Sequence, residues 1–338
     1  MEQSLKNYRE ELSDILLRLL WRQWCTFGVS GNTEPSKGPI VDPEALLLLT
    51  CSVGRSDPRL FDEMMDWLSL NWELVNISRI NFMLKKRQWQ GGEALGALSN
   101  WMTKNMGGKT KWASLTGKAE PRNDMVSFFI DLNGAEMAKF GNPEPSFAEY
   151  GFFRGEVKLR KHTQDFRPDN PSNLLPALRS FFGTNVRAEI VAYLLTHPNG
   201  GHPSLVAREI GYYQKTAHQA LVAMGRSGLL ECRDTGREKI FRLNRDLSDT
   251  FLSGIKGEPT WIQWPPICFL LERVWYKMLD KDFLALSPQV QSIELREALS
   301  PLSKEISHPA FAKLFSGHPK GDGYIHELVS GIRDLVRG

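Results

Sequence analysis

The chain has 338 residues, of which 41% are hydrophobic and 24% are charged, and its formal net charge is +3. This length allows two or three domains with apolar cores, and the composition argues against a disordered chain. No apolar run approaches the roughly 20 residues that span a bilayer, and the charged start differs from a signal peptide, so we expect a cytoplasmic protein with no membrane partner.

Residues 1–118 are predicted to form a helical domain. Its first helix is marked by apolar residues at helical spacing, namely Leu12, Ile15, Leu16, Leu19 and Leu20. Two further helices are predicted to begin at Asp42-Pro43 and Asp57-Pro58, because aspartate is a favoured N-cap and proline fits the first helical position.

The acidic residues of this region permit a second interpretation. Asp42, Asp57, Asp62 and Asp66 could bind Mg²⁺ or transfer protons, as in an enzyme that modifies nucleic acids or transfers nucleotidyl groups. Helix capping and helix-surface charge explain them more simply, so we predict no catalytic residue. Residues 107–110 resemble the end of a phosphate-binding loop but lack its upstream glycine, and we interpret them as a basic loop.

Cysteine and histidine spacing argues against a metal site. Cys25, Cys51, Cys232 and Cys268 are widely separated, which is typical of reduced structural thiols. The histidines near the end of the chain lack the close spacing of a ligand pair. We therefore predict no metal and no cofactor.

Residues 119–173 are predicted to be a mixed connector. Prolines repeatedly interrupt its helical periodicity. Phe152, Phe153, Val157 and Leu159 partly alternate with charged or small residues, which is compatible with a strand.

Residues 174–246 contain the most informative succession of elements. Three helices are predicted, over residues 186–195, from Pro203 to Gly211, and over residues 214–224. Two strands, at residues 229–233 and 239–243, are predicted to flank a hairpin loop of Asp, Thr and Gly. A helix, a helix-turn-helix and a basic hairpin in this order indicate a module for duplex DNA.

The third of these helices has two faces of different character. Ala217, Leu221 and Met224 are predicted to pack inward. The side chains that remain available to read base edges are Gln214, Lys215, Thr216, His218 and Gln219.

The hairpin and the end of the third helix supply positive charge. Arg226, Arg233, Arg237 and Lys239 are expected to contact phosphates or a minor groove, which releases counterions. Residues 154–245 hold 15 Lys and Arg against 8 Asp and Glu, or +7, whereas the rest of the chain holds 27 against 31, or −4. Positive charge is thus concentrated around the helix-turn-helix.

The stretch from about Leu174 to Arg245 resembles the winged helix-turn-helix domain of the ArsR-like and MarR-like bacterial transcriptional regulators. The resemblance rests on residues 181–187 before the first helix and residues 224–230 between the third helix and the hairpin. It implies a DNA-binding module whose third helix reads bases, with backbone contacts at Arg226, Arg237 and Lys239. Metal sensing is not implied, because those helices carry no cysteine pair, and the chain is much longer than a simple regulator of this kind.

Residues 247–338 are predicted to be a helical C-terminal region. Apolar positions between Trp264 and Leu279, and again between Gly323 and Val336, recur at helical spacing. Such helices complete a core or pair with a second subunit.

We therefore predict a mainly α protein that binds double-stranded DNA with sequence preference and regulates transcription. A homodimer is expected, because two-fold symmetry lets two third helices meet successive major grooves about 34 Å apart. The helical flanks would pair the subunits or contact a protein partner. The alternatives are a protein-interaction or antitoxin-like adaptor that docks through the winged helix, and the nucleic-acid-modifying enzyme considered above.

Overall fold

The computed structural model describes residues 4–106, 111–117, 124–236, 238–317, 319 and 321–337. Helices make up 62% of the described residues, and the sheets of these residues are two pairs of short strands. The fold is therefore mainly α, as the sequence predicts. The basic loop at residues 107–110 and the hairpin residue Arg237 lie outside the described residues.

The α-helices follow one another along the whole chain. In order they are α1 (Leu5–Thr26), α2 (Pro43–Thr50), α3 (Pro58–Asn71), α4 (Ile77–Lys86), α5 (Gly92–Asn105), α6 (Pro145–Ala148), α7 (Leu174–Phe182), α8 (Val186–Thr196), α9 (Pro203–Ile210), α10 (Gln214–Arg226), α11 (Arg245–Leu252), α12 (Trp264–Leu279), α13 (Lys281–Ala285), α14 (Pro288–Leu299), α15 (Ala312–Ser316) and α16 (Gly323–Arg337). Short 3₁₀ segments include Trp72–Leu74, Lys111–Leu115 and Ser300–Lys304.

The strands form two separate pairs. β1 (Val126–Ser127) and β2 (Phe152–Phe153) are parallel, and β3 (Leu230–Thr235) and β4 (Glu238–Leu243) are antiparallel. The alternating pattern of the connector was compatible with a strand as far as Leu159, but the strand ends at Phe153.

Two helices of the N-terminal region begin at the predicted caps. The Asp42 carboxylate accepts hydrogen bonds from the main-chain N–H groups of Glu44 and Ala45, at 3.1 and 3.0 Å. Asp57 caps α3 in the same way, through a 3.0 Å bond from the N–H of Leu60. Each bond satisfies a donor that the first turn of a helix leaves without an intrahelical partner.

The prediction that Asp66 is a charge on the helix surface is wrong. Its side chain is buried, and its carboxylate accepts hydrogen bonds from the main-chain N–H groups of Lys161 (2.7 Å) and His162 (2.9 Å). Asp62 forms an ion pair with the buried Arg154. The connector thus folds back across α3 and supplies partners that helical periodicity alone does not indicate.

Buried apolar side chains form two clusters. The first core combines helices from both ends of the chain, with α2 packed on α12 and α1 packed on α16. The second core consists of Ile40 and side chains between Leu174 and Leu243. The helix-turn-helix region thus surrounds a core of its own, while the domain boundaries at residues 118, 173 and 246 remain predictions.

A buried ion network joins the two cores. Arg79 of α4 is 1% exposed, and its guanidinium forms two bonds to the Asp42 carboxylate, at 2.6 and 2.5 Å, and one of 2.7 Å to Glu44. Its Nε donates to the main-chain carbonyl of Ile210, at the end of α9 (2.8 Å). One side chain from the first core therefore holds the last turn of α9.

Arg179 of α7 completes this network from the other side. Its two terminal nitrogens donate to the two oxygens of Glu44, at 2.7 and 2.8 Å, and Nη2 also donates to Glu189 of α8 (2.6 Å). The main-chain N–H of Asn76 donates to Glu44 as well (2.7 Å). We call the five charged side chains the junction network: Asp42, Glu44, Arg79, Arg179 and Glu189.

The ionisation of the junction network follows from this geometry. Burial disfavours the charged form of Asp42, but the charge and hydrogen bonds of Arg79, the capping bond from Ala45 and the charge of Arg179 together hold the pKa of Asp42 below its ordinary value. The carboxylates of Asp42, Glu44 and Glu189 hold the pKa of Arg79 above its ordinary value despite burial. The ion pair between Asp42 and Arg79 therefore stays charged at neutral pH.

None of the helices in the described part of the chain combines the length and the apolarity that a bilayer-spanning segment requires.

Replacing Arg179 with Met should lower the free energy of unfolding by roughly 3–5 kcal/mol, because Glu44 and Glu189 would stay buried with a partner removed. The matched control is Arg208→Met, since Arg208 is half exposed and pairs only with its neighbour Glu209. The control should change stability by no more than about 0.5 kcal/mol. Urea unfolding of both variants measures the difference, and equal effects would contradict the importance of the junction network.

Candidate nucleic-acid interface

The turn between α9 and α10 is fixed by a glycine. Gly211 has φ +71°, the left-handed region, and ends α9. A Cβ atom at this position would lie 3.4 Å from Nε of Arg79. The left-handed backbone at this position therefore favours glycine, whereas a Cβ atom would make only an ordinary contact with Arg79.

α10 separates buried apolar residues from exposed polar ones. Its buried side chains are Ala217, Ala220, Leu221 and Met224, which pack in the second core. The five side chains predicted to read bases are all exposed: Gln214, Lys215, Thr216, His218 and Gln219. Arg226, in the last turn, is exposed as well.

The hairpin carries exposed basic side chains. Its register places Arg233 opposite Ile240, and both Arg233 and Lys239 are exposed. Arg242, by contrast, donates through Nε to Glu231 across the strands (2.7 Å). Arg242 is therefore partly neutralised within the hairpin, whereas Arg233 and Lys239 remain accessible to a polyanion.

A main-chain bridge that the sequence analysis missed ties the hairpin to the loop between α8 and α9. Gly201 and Phe241 exchange two hydrogen bonds, at 2.9 and 3.1 Å. The preceding Gly200 has φ +74°, and a Cβ atom there would lie 2.3 Å from the carbonyl oxygen of Phe241. The sequence Asn199-Gly200-Gly201 favours a turn, and its two adjacent glycines are the signal that this backbone approaches another closely.

The helices that surround the first core, which we call the helical body, contact the N-terminal end of α10. Asn76 Nδ2 donates to the Tyr212 hydroxyl (2.5 Å), and the ring of Tyr213 meets that of Phe82 edge to face, with centroids 4.9 Å apart. Burial and the nearby Glu189 carboxylate raise the pKa of Tyr212, against the opposing charges of Arg179 and Arg79. Tyr212 therefore stays neutral and its hydroxyl stays available for hydrogen bonding.

The surface of α10 and the hairpin combines hydrogen-bonding groups with positive charge. Amide, hydroxyl, imidazole and ammonium groups lie along one helix, and guanidinium and ammonium groups lie on the hairpin beside it. Among the residues that the structure describes, no three His, Cys, Asp or Glu side chains are grouped closely enough to hold a metal ion.

No protein-family model matches this chain, and no curated protein or solved structure matches it either. We therefore infer a function for the surface of α10 and the hairpin from the geometry and charge of that surface alone.

Replacing Gly200 with Ala should lower the free energy of unfolding by roughly 2 kcal/mol or more, because a Cβ atom would strain the backbone and press on the Phe241 carbonyl. Gly254→Ala is the control, since a Cβ atom there would meet nothing within 4 Å. Thermal and urea unfolding of both variants gives the comparison. A Gly200 variant as stable as the control would show that the bridge to Phe241 does not constrain the hairpin.

Proposed function

We propose that residues 174–246 form a winged helix that binds duplex DNA with sequence preference, with α10 in the major groove. The observation that carries the proposal is the division of α10. Its apolar side is buried in the second core, while five side chains that can donate or accept hydrogen bonds are exposed in its first two turns. A helix arranged in this way can enter a groove without losing its packing.

The size and chemistry of α10 suit a major groove. Its 13 residues extend roughly 20 Å, and a groove about 12 Å wide admits one helix. Gln214 and Gln219 can pair with both hydrogen-bonding atoms of adenine, and Lys215 can donate to guanine. The methyl group of Thr216 can contact that of thymine. We infer that these side chains supply the sequence preference.

The hairpin and Arg226 supply contacts to phosphates. Arg233 and Lys239 are exposed on the two strands, and the bridge from Gly201 to Phe241 ties the hairpin to the loop before α9. In the sequence, Arg237 lies between the two strands of the hairpin. Cations in these positions increase affinity for any duplex by releasing counterions, so they add little sequence preference.

A regulatory role follows from the resemblance to ArsR-like and MarR-like regulators. We propose that the protein acts as a homodimer at paired half-sites in the cytoplasm and so controls transcription. A single winged helix contacts a short site, and a second copy doubles the number of bases that are read. The helices outside residues 174–246 offer the surface for pairing.

An exposed aromatic cluster favours a second candidate, a protein-interaction or antitoxin-like adaptor. Phe181 is 73% exposed, and its ring lies edge to face with Phe182 and Phe251, at centroid distances of 4.8 and 6.1 Å. Exposed aromatic side chains are enriched in protein interfaces. A partner protein that covers this cluster would accompany the adaptor function.

Lys215→Ala and Gln219→Ala should each reduce the preference for a selected duplex over a scrambled one by roughly 1–3 kcal/mol, because each removes a base contact. Arg233→Ala and Lys239→Ala should weaken both duplexes equally and lower the slope of log K against log salt by about one. The control is Lys281→Ala, another exposed lysine, on α13. Fluorescence anisotropy at several salt concentrations, with duplexes selected from a random pool, measures all five variants.

Two results would contradict the proposal that α10 reads bases and that the hairpin binds phosphates. One is the same loss of affinity on every duplex for variants of α10 and of the hairpin. The other is no duplex binding at low salt, and recovery of a stoichiometric protein partner would then support the adaptor.

A further inference from the structure

Helix α4 of the helical body lies along the turn that leads into α10. Asn76, which caps α4, donates a hydrogen bond to the Tyr212 hydroxyl. Three residues later, Arg79 donates to the last carbonyl of α9 (2.8 Å). The ring of Phe82 then meets that of Tyr213, the residue before α10. α4 therefore lies beside the end of α10 that is proposed to enter the major groove.

The outer side of α4 is polar and basic. Ser78 and Lys85 are exposed and Asn81 is half-buried, and the three lie three or four positions apart on one face of the helix. Residues three positions apart on a helix have Cβ atoms roughly 5–6 Å from each other. Lys85 is therefore the neighbour of Phe82, whose ring touches Tyr213.

A second lysine of the helical body lies near the start of α10, on the 3₁₀ segment Lys111–Leu115. This segment packs against α4, and Asn81 Nδ2 donates to the Ser114 hydroxyl (3.0 Å). Lys111 is exposed and lines the same cleft as Thr216, which belongs to the first turn of α10. The helical body thus presents two lysines beside the first turn of α10.

Both lysines are available to a polyanion. Among the residues that the structure describes, no carboxylate forms an ion pair with Lys85 or Lys111, whereas the adjacent Lys86 pairs with Glu305 (2.7 Å). The carboxylate that shares the cleft with Lys111 is that of Glu73. Two unpaired ammonium groups outweigh this single carboxylate, so the surface beside α10 keeps the positive charge that favours a phosphate backbone.

The dimensions of duplex DNA bring this part of the body close to phosphates. A helix with its side chains is about 10 Å across and the major groove is about 12 Å wide, so α10 would occupy the whole groove. Protein that adjoins the start of α10 then lies over the backbone that borders the groove. A lysine ammonium group, on its flexible four-carbon chain, can extend to that backbone.

We propose that the helical body forms a second part of the DNA-binding surface, in which Lys85 and Lys111 bind phosphates at the edge of the groove that α10 enters. This inference rests on the proposed function of α10, and it extends the bound surface beyond residues 174–246. Contacts to phosphates fix the orientation of a protein on the duplex and carry no sequence information. The body therefore adds affinity and orients α10, while base reading stays with α10.

The first test measures duplex affinity of the full-length protein by fluorescence anisotropy at several salt concentrations. Lys85→Gln and Lys111→Gln should each weaken binding about fivefold near 0.1 M salt and lower the slope of log K against log salt by about 0.9, because each removes one phosphate contact. The double variant should lose roughly 25-fold. The ratio of affinities for selected and scrambled duplexes should not change. The matched control is Lys281→Gln, the same change at an exposed lysine of α13.

Two results of this test would overturn the inference while the proposed function of α10 stands. One is a double variant that binds duplex as tightly as the Lys281 control. The other is a loss of preference for the selected duplex, since that would mean that the substitutions displace α10 and do not remove phosphate contacts. If the wild-type protein binds no duplex at low salt, the proposed function fails and the inference fails with it.

A second measurement locates the helical body on the DNA. A thiol-linked iron–EDTA group, which cuts deoxyribose close to its attachment point, is placed at Lys85→Cys in a Cys232→Ser background, where the three remaining native cysteines are buried. Cuts are expected at the border of the selected site, and none are expected from Lys281→Cys in the same background. An intact complex that is not cut from position 85 would overturn the inference.

Discussion

The carboxylate of Glu44 lies between the buried guanidinium groups of Arg79 and Arg179, and the relation between the two cores depends on this arrangement. A buried charge without a partner costs several kcal/mol, so each of these ions fixes the position of the next. Arg79 also binds the last carbonyl of α9, and Arg179 binds Glu189 of α8. These contacts therefore connect α4 of the first core with α7, α8 and α9, which surround the second core.

This constraint explains how α10 is presented. Its buried side packs in the second core, and the turn before it is held by Arg79, Asn76 and Phe82 of the helical body. The polar side chains of its first two turns face away from the core and are exposed. A surface held in this way loses little conformational entropy on binding a rigid partner, which favours affinity.

Local signals made much of this architecture predictable. Asp42 and Asp57 cap the helices that they were expected to begin, and the turn at Gly211 and the β3–β4 hairpin occur where the sequence placed them. Contacts between distant residues were not predictable: Glu44 and Arg179 are 135 positions apart, and Gly201 pairs with Phe241. Helical periodicity predicts which face of a helix is apolar, but it does not predict which buried charged residue will pair with a charge on another segment. The exposure of the base-reading candidates followed from periodicity, whereas their contact with DNA remains a prediction.

Photo-crosslinking from single cysteines tests the proposed interface most directly. Cys232 on β3 is exposed and the other three cysteines are buried, so a thiol-reactive aryl azide can be placed selectively. The probe would be attached at Cys232, at Gln219→Cys in a Cys232→Ser background, and at Lys281→Cys in the same background. The proposed interface predicts crosslinks to duplex DNA from positions 219 and 232 and none from position 281. Crosslinks from position 281 alone, or none from position 219 while the complex is intact, would contradict it.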